Sequence, residues 1–184
     1  MSKKIPSQDS NSDDLQKLIK YYKKIKAKKL DDYIFQDYEE KWVCDYENPW
    51  LFEGKPFTSD FIGDNFGFVY LITCLSTKRL YIGRKYFWSF RTPKGKKRKV
   101  KQESDWKKYY GSCPELKEDV NLFGKDKFSR EILSLHDTKG QTNFEETRQL
   151  FLNEVLSQRL TDETPLYYNS NILGRYYRKD YYNK

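Results

Sequence analysis

The hydrophobic pattern changes character at residue 67. Downstream, apolar residues come in short runs separated by turn residues, and GFVYLITCL over 67–75 reads as a buried strand rich in Val, Ile and aromatics. Ser76-Thr77-Lys78 supplies a turn, and Arg79-Leu80-Tyr81-Ile82-Gly83 reads as a second strand. Side chains alternate across a sheet, so Tyr70 shares a face with Phe68, Ile72 and Cys74, and Tyr81 shares one with Arg79 and Gly83. The small Gly83 opens room beside Tyr81 or lets a ligand approach the backbone. A basic helix is expected to start beyond it. FSREILSL, 128–135, reads as a third strand. Ser112 and Glu115 have capping-box spacing, with Pro114 in the first turn, for a helix over about 114–122 that stops at Gly124. Thr142 and Glu145 have the same spacing and open a longer helix over about 143–158, with Leu150, Phe151, Val155 and Leu156 as its buried stripe.

Upstream the pattern is weaker. Residues 1–12 are polar and are expected to be disordered. Asp13 or Asp14 caps a helix over about 14–30, in which Leu15, Leu18, Ile19, Tyr22 and Ile25 keep helical spacing and lysines fill the other faces. Those lysines either lie along a phosphate backbone or form a solvated face. Residues 31–66 are dense in aromatics but weakly periodic, and Pro49, Gly54, Pro56 and Gly63 break them into short pieces. They read as an irregular arm wrapped on the core, with rings that pack inward or offer a base-stacking platform. The expected division is an N-terminal extension 1–66, a central unit 67–172 and a basic, aromatic tail 173–184.

Composition narrows the function classes. At 184 residues the chain fits one domain with an appended arm. Its net charge is +8 and aromatics make up 17%, so cations for phosphates and rings for bases point to a polyanionic partner. Cys44, Cys74 and Cys113 are far apart and include no CxxC pair, which argues against a zinc or disulfide framework and fits a reducing compartment. No apolar run is long enough to span a membrane, and the N-terminal MSKKIPSQDSNSDD lacks the apolar stretch of a signal peptide. A cytoplasmic protein is expected.

Between Arg84 and Lys108 lie eleven Lys or Arg residues, opposed only by Glu103 and Asp105. Arg84, Lys85, Lys94, Lys96, Lys97, Arg98, Lys99 and Lys101 are the candidates for nucleic-acid binding, on a flexible basic loop that grips phosphates with little sequence information. A merely solvated loop is the alternative. Glu146 precedes Leu150 by four residues and so points toward the apolar side of its helix, where a carboxylate needs a partner. It is a candidate metal ligand or ion-pair member, or else a helix-start carboxylate stabilised by the macrodipole. His136, the only histidine, follows the third strand on an expected loop, and nothing in the sequence pairs with it.

These residues resemble the GIY-YIG nuclease family. Phe68-Val69-Tyr70, preceded by Gly67, stands at the first motif, and Tyr81-Ile82-Gly83 is the second motif intact, with ten residues between Tyr70 and Tyr81. Arg91 matches the family's arginine on its first helix, Tyr110 in YYGS its His or Tyr before the second helix with Tyr109 close by, Glu146 its metal-binding glutamate on the third helix, and Tyr168-Asn169 its closing asparagine. The resemblance covers about 67–172 and is strongest to versions encoded by large tailed phages, for which the host cytoplasm is the expected compartment. The first motif departs from the family in having Phe68 where Gly stands. The basic insert after Arg91 is longer than in compact members.

The resemblance implies an α+β fold, a small three-stranded antiparallel sheet flanked by helices, carrying here an N-terminal helical and irregular arm. It implies hydrolysis of phosphodiester bonds in DNA, with RNA left open, by a monomer or homodimer using one Mg²⁺ or Mn²⁺ per site on Glu146. Tyr70, Tyr81, Arg91, Tyr110 and Glu146 are its catalytic set, with Gly83 and Asn169 in support. Tyr70 takes a proton from water, a role that requires positive charge from Arg84, Lys85 and the metal to lower its pKa. Arg91 clamps the scissile phosphate. A non-catalytic nucleic-acid-binding protein on the same scaffold, and a restriction- or repair-type nuclease cutting a defined structure, are the competing functions.

Overall fold

A near-continuous apolar run forms an interior strand of the sheet, as a strand covered on both faces requires. In the computed structural model, which describes residues 46–92, 95 and 97–182, this is β3 (Gly67–Cys74). It pairs antiparallel with β4 (Leu80–Tyr86) on one side and with β7 (Phe128–His136) on the other. The expected disordered start, the basic helix at 14–30, the rings before residue 46, Cys44, Lys94 and Lys96 lie outside the described residues. The β3–β4 register sets Tyr70 opposite Gly83 and Ile72 opposite Tyr81, and Lys78 takes the left-handed turn conformation with φ 64°. A bulge at the Val69/Tyr70 step shifts the β3–β7 register beside Tyr70.

The three expected strands are the long ones, but the sheet is wider. Among the described residues β1 (Leu51–Phe52) and β2 (Lys55–Pro56) extend it to five strands in the order β2-β1-β7-β3-β4, and β1 runs parallel to β7. The described part of the aromatic stretch upstream of residue 67, residues 46–66, therefore contributes to the core. Trp50 and Phe57 are fully buried and pack with Phe68, Tyr70, Phe87 and Trp106 on one face of the sheet. The other face carries Val69 and Ile82 against Leu150, Val155, Leu156, Tyr167 and Ile172.

Several local expectations change. Among the described residues no helix comes directly after Gly83. Instead β5 (Trp88–Arg91) and β6 (Val100–Glu103) form a separate antiparallel ribbon, because the aromatic run Tyr86-Phe87-Trp88 anchors an extended chain rather than an amphipathic turn. Helix α1 (Pro114–Phe123) ends at Gly124 as expected, yet its capping box does not form. Ser112 Oγ instead sits 3.1 Å from Tyr81 Oη, and Glu115 accepts from Arg79 at 2.5 Å. Helix α2 (Lys139–Leu152) starts one turn early on the box Thr138/Gln141. Two overlapping Thr-x-x-acceptor patterns compete there, and the one closer to the end of β7 is used. Val155 and Leu156 are buried beyond the helix end, while Phe151 is 50% exposed. His136 is the last residue of β7, bonded to Ser134 at 2.8 Å.

The tail is anchored by short strands β8 (Asn171–Ile172) and β9 (Tyr176–Tyr177) and by the helical turn α3 (Arg178–Tyr181). Arg178 is buried and donates to the carbonyls of Val155, Leu156, Tyr167 and Asn169.

Candidate active site

The β3–β4 hairpin, the turn before α1 and the middle of α2 converge on two adjoining hollows, of ≈ 440 and ≈ 250 Å³, that share Tyr81, Arg84, Ser112 and Glu146. Tyr70, Lys85, Tyr86 and Tyr109 line one, and Tyr168 and Asn169 line the other. A larger hollow of ≈ 540 Å³ lies between the end of α2 and the tail. Its lining is mostly apolar and aromatic and gathers no set of opposed charges, so it is a poor place for hydrolysis.

Glycine makes the hairpin's contribution possible. A Cβ on Gly83 would stand 2.5 Å from Tyr70 Oη and 3.0 Å from Tyr81 Cε1, so only glycine lets the two rings sit over this strand, their centroids 6.1 Å apart. Gly111, with φ 83°, turns the chain under Tyr81, where a Cβ would meet the ring at 2.9 Å. Asn169 fastens the closing segment to the hairpin, accepting from Ile82 N at 3.0 Å and donating to Ile82 O at 2.8 Å.

Glu146 lies two turns into α2 rather than at its start, so the helix-terminus explanation for it does not hold. Its side chain is 12% exposed and ion-paired to Arg84 Nη1. Burial pushes its carboxyl above the usual range, and the Arg84 charge opposes that rise. Arg84 Nε also donates to Tyr86 Oη at 3.2 Å, and Tyr86 donates to Asn143 on α2 at 2.5 Å. The guanidinium thus lies between strand and helix at the mouth of the cleft.

Two expected members lie elsewhere. Arg91 is on the exposed ribbon strand β5, not on a helix, and does not line the cleft; Arg84 is the arginine that faces Glu146. Tyr110 points away, accepting from Asn48 at 2.8 Å with the Arg130 guanidinium 4.3 Å over its ring. Tyr109 is the one turned in, edge-on to Tyr70 at 6.2 Å, with Lys85 Nζ 3.8 Å over its ring. Arg130, buried on β7, donates to the carbonyls of Lys107 and Tyr109 at 3.0 Å and so fixes which of the two tyrosines enters. Lys97, Arg98, Lys99 and Lys101 are exposed on the ribbon and its tip.

The electrostatics also correct the part given to Tyr70. Burial pushes its hydroxyl well above the ordinary value, and Tyr81, Tyr109 and Glu146 add to the rise. That is the opposite of what a proton acceptor needs. Burial raises Tyr81 as well, against the Ser112 hydrogen bond. Both hydroxyls therefore stay protonated at neutral pH.

The donor set decides what cation the cleft suits. Among the described residues no group of three or more His, Cys, Asp and Glu comes together, and the only carboxylate lining the two hollows is Glu146. Beside it stand the neutral oxygens of Tyr81, Ser112 and Asn169. One carboxylate among hard oxygen donors fits an ion such as Mg²⁺, which keeps several of its waters, and does not fit a zinc cage.

The geometry has a counterpart in known sequences. Residues 50–172 match the family model described as "Putative endonuclease segE, GIY-YIG domain". That span begins at Trp50 and so includes the aromatic segment that completes the core. No curated protein and no solved structure matches the chain.

Proposed function

The chain belongs to the GIY-YIG endonuclease family, and on that premise we propose that it is a divalent-metal-dependent endonuclease that hydrolyses phosphodiester bonds in DNA at the Tyr81–Arg84–Glu146 cleft. The observation that carries this reading is the buried carboxylate of Glu146, held opposite an arginine and beneath protonated tyrosines. A packed core has no use for this combination, but a scissile phosphate does.

Glu146 would hold one Mg²⁺ or Mn²⁺, which when bound would lower the pKa of a water and offset charge on the leaving oxygen. Arg84 moves from Glu146 to the phosphate, where its planar fork matches two oxygens. Tyr70, Tyr81 and Tyr109 donate hydrogen bonds to the phosphate and fix its orientation. Ser112 holds the Tyr81 hydroxyl. Lys85 adds positive charge at the rim, itself tethered to Asp105 at 2.6 Å. Asn169 and Gly83 keep the hairpin in place. No helix among the described residues is long and apolar enough to cross a membrane.

Supercoiled-plasmid nicking tests the reading, run with Mg²⁺, with Mn²⁺ and with EDTA beside the Glu146→Ala variant. The wild type should nick only with metal. The variant should lose roughly a thousandfold in rate while still shifting DNA on a gel. Metal-dependent nicking that survives in Glu146→Ala would overturn the assignment.

A further inference from the structure

The β5–β6 ribbon is more than a carrier of positive charge. Its register pairs Trp88 with Glu103, Ser89 with Gln102, Phe90 with Lys101 and Arg91 with Val100. Residues directly opposite share a face, so Trp88, Phe90, Lys101 and Glu103 make one face and Ser89, Arg91, Val100 and Gln102 the other. The first face is committed to the protein at its base. Trp88 packs against the core and donates to Asn65 O at 3.0 Å, and Glu103 accepts from Ser59 at 2.7 Å and from Trp106 at 2.5 Å. Further out on that face, Lys101 Nζ sits 4.0 Å over the Trp88 ring.

Among the described residues the second face shows no such commitments. Its Arg91, Val100 and Gln102 are exposed, and among those residues Ser89 makes a 3.4 Å bond across the ribbon to the Gln102 carbonyl. An exposed Arg and Gln at diagonal positions of one face, with a Ser opposite the Gln, are the side chains that read base edges, the first bidentate to guanine and the second to adenine. The two paired strands lie about 4.8 Å apart, narrow enough for the DNA major groove of about 12 Å, which admits a two-stranded ribbon.

The ribbon also springs from the cleft. β4 carries Arg84 and Lys85 and continues through Phe87 into β5. At the other leg, Ser104 bonds Tyr86 O at 2.7 Å, and Asp105 bonds the cleft residue Lys85. The Asp105 carboxyl is held below its usual range first by that Lys85 bond.

We propose that the Ser89–Arg91–Gln102 face of the β5–β6 ribbon enters the major groove of duplex DNA beside the cleaved phosphate and reads base edges, making this nuclease sequence-selective. The proposal rests on the nuclease reading for the position of the groove, but not for its test. That test is selection by binding from a duplex pool randomised over about ten base pairs, using the full chain with Glu146→Gln so that no strand is cut. The parent should enrich particular bases, about tenfold each, at two or three adjacent positions. Adding Ser89→Ala, Arg91→Met and Gln102→Ala together should erase that enrichment. Adding Arg91→Lys alone, which keeps the charge and loses the fork, should erase it at one guanine only. An unbiased pool from the parent overturns the proposal. So does a triple variant that keeps the parent's preference, or one that weakens binding to every sequence equally. Failure of the nuclease reading shows separately, as absent metal-dependent nicking by the wild type.

Discussion

Two hairpins follow one another in this chain and are built in opposite ways. In β3–β4 almost every side chain is buried or half-buried, and the turn, the register and Gly83 leave the rings of Tyr70 and Tyr81 one arrangement. In β5–β6 all of β6 is exposed, and the ribbon is fastened only at its base. The contrast separates two physical demands. Chemistry on a phosphate needs donors fixed to fractions of an ångström, which burial on both faces supplies. Contact with a polyanion needs charge and hydrogen-bonding groups that stay hydrated until the partner arrives. Mirrored changes in the two hairpins should therefore have very unequal effects.

The largest difference should come from Gly83→Ala set against Ser89→Ala. The new methyl on Gly83 meets Tyr70 Oη at 2.5 Å, and Tyr70, 1% exposed, is held by Trp50, Phe68, Tyr81 and Tyr109. Overpacking should cost about 1–3 kcal/mol, read as a lower urea midpoint, and nicking should fall by roughly a hundredfold. Ser89→Ala should leave stability within about 0.5 kcal/mol. A Gly83→Ala protein that cuts at the wild-type rate would remove the basis of the contrast.

A smaller effect should divide the two adjacent tyrosines. Tyr109→Phe removes a hydroxyl from the cleft and should lower the nicking rate by about tenfold to a hundredfold. Tyr110→Phe removes the acceptor of the Asn48 hydrogen bond, in a hollow with Lys108, Lys125 and Arg130. It should cost about 1 kcal/mol of stability and change the rate by no more than about twofold, because Asn48 also donates to Lys125 O and Phe128 O. Rate constants and urea midpoints for the pair decide it, and equal loss of activity in both would return Tyr110 to the site.

The same two tyrosines show what a sequence discloses. The strand pattern made Tyr70, Tyr81 and Gly83 legible, because period-two alternation and a short turn fix their faces locally. Glu146 was legible from its spacing to Leu150, and Asn169 from the family resemblance. Which of Tyr109 and Tyr110 turns inward was not, since it depends on Arg130, about twenty residues later in the chain, binding the carbonyls before it. The places of Arg84 and Arg91 are hidden for a related reason. The residues after Gly83 suggest a helix, and the ribbon found there carries Arg91 away from the cleft. The aromatic segment before residue 67 looked like an arm because its burial comes from rings contributed by β3, from Phe87 and from Trp106, none of them near in sequence. The start of α2 was misplaced by one turn because the two overlapping cap patterns are equivalent until the end of β7 is known.

The smallest expected effect on the fold, and the sharpest probe of the outer hairpin, is the joint change Lys97→Ala, Arg98→Ala and Lys99→Ala. All three are exposed at the ribbon tip, so the urea midpoint should not move by more than about 0.5 kcal/mol. Binding to a duplex should weaken for every sequence alike, and the plot of log affinity against log salt should become shallower by about three if each cation displaces one counterion. Fluorescence anisotropy from low to moderate salt measures this directly. A slope equal to that of the wild type would mean that the tip stays in solvent when DNA is bound, and the ribbon's part in recognition would then rest on its Ser89–Arg91–Gln102 face alone.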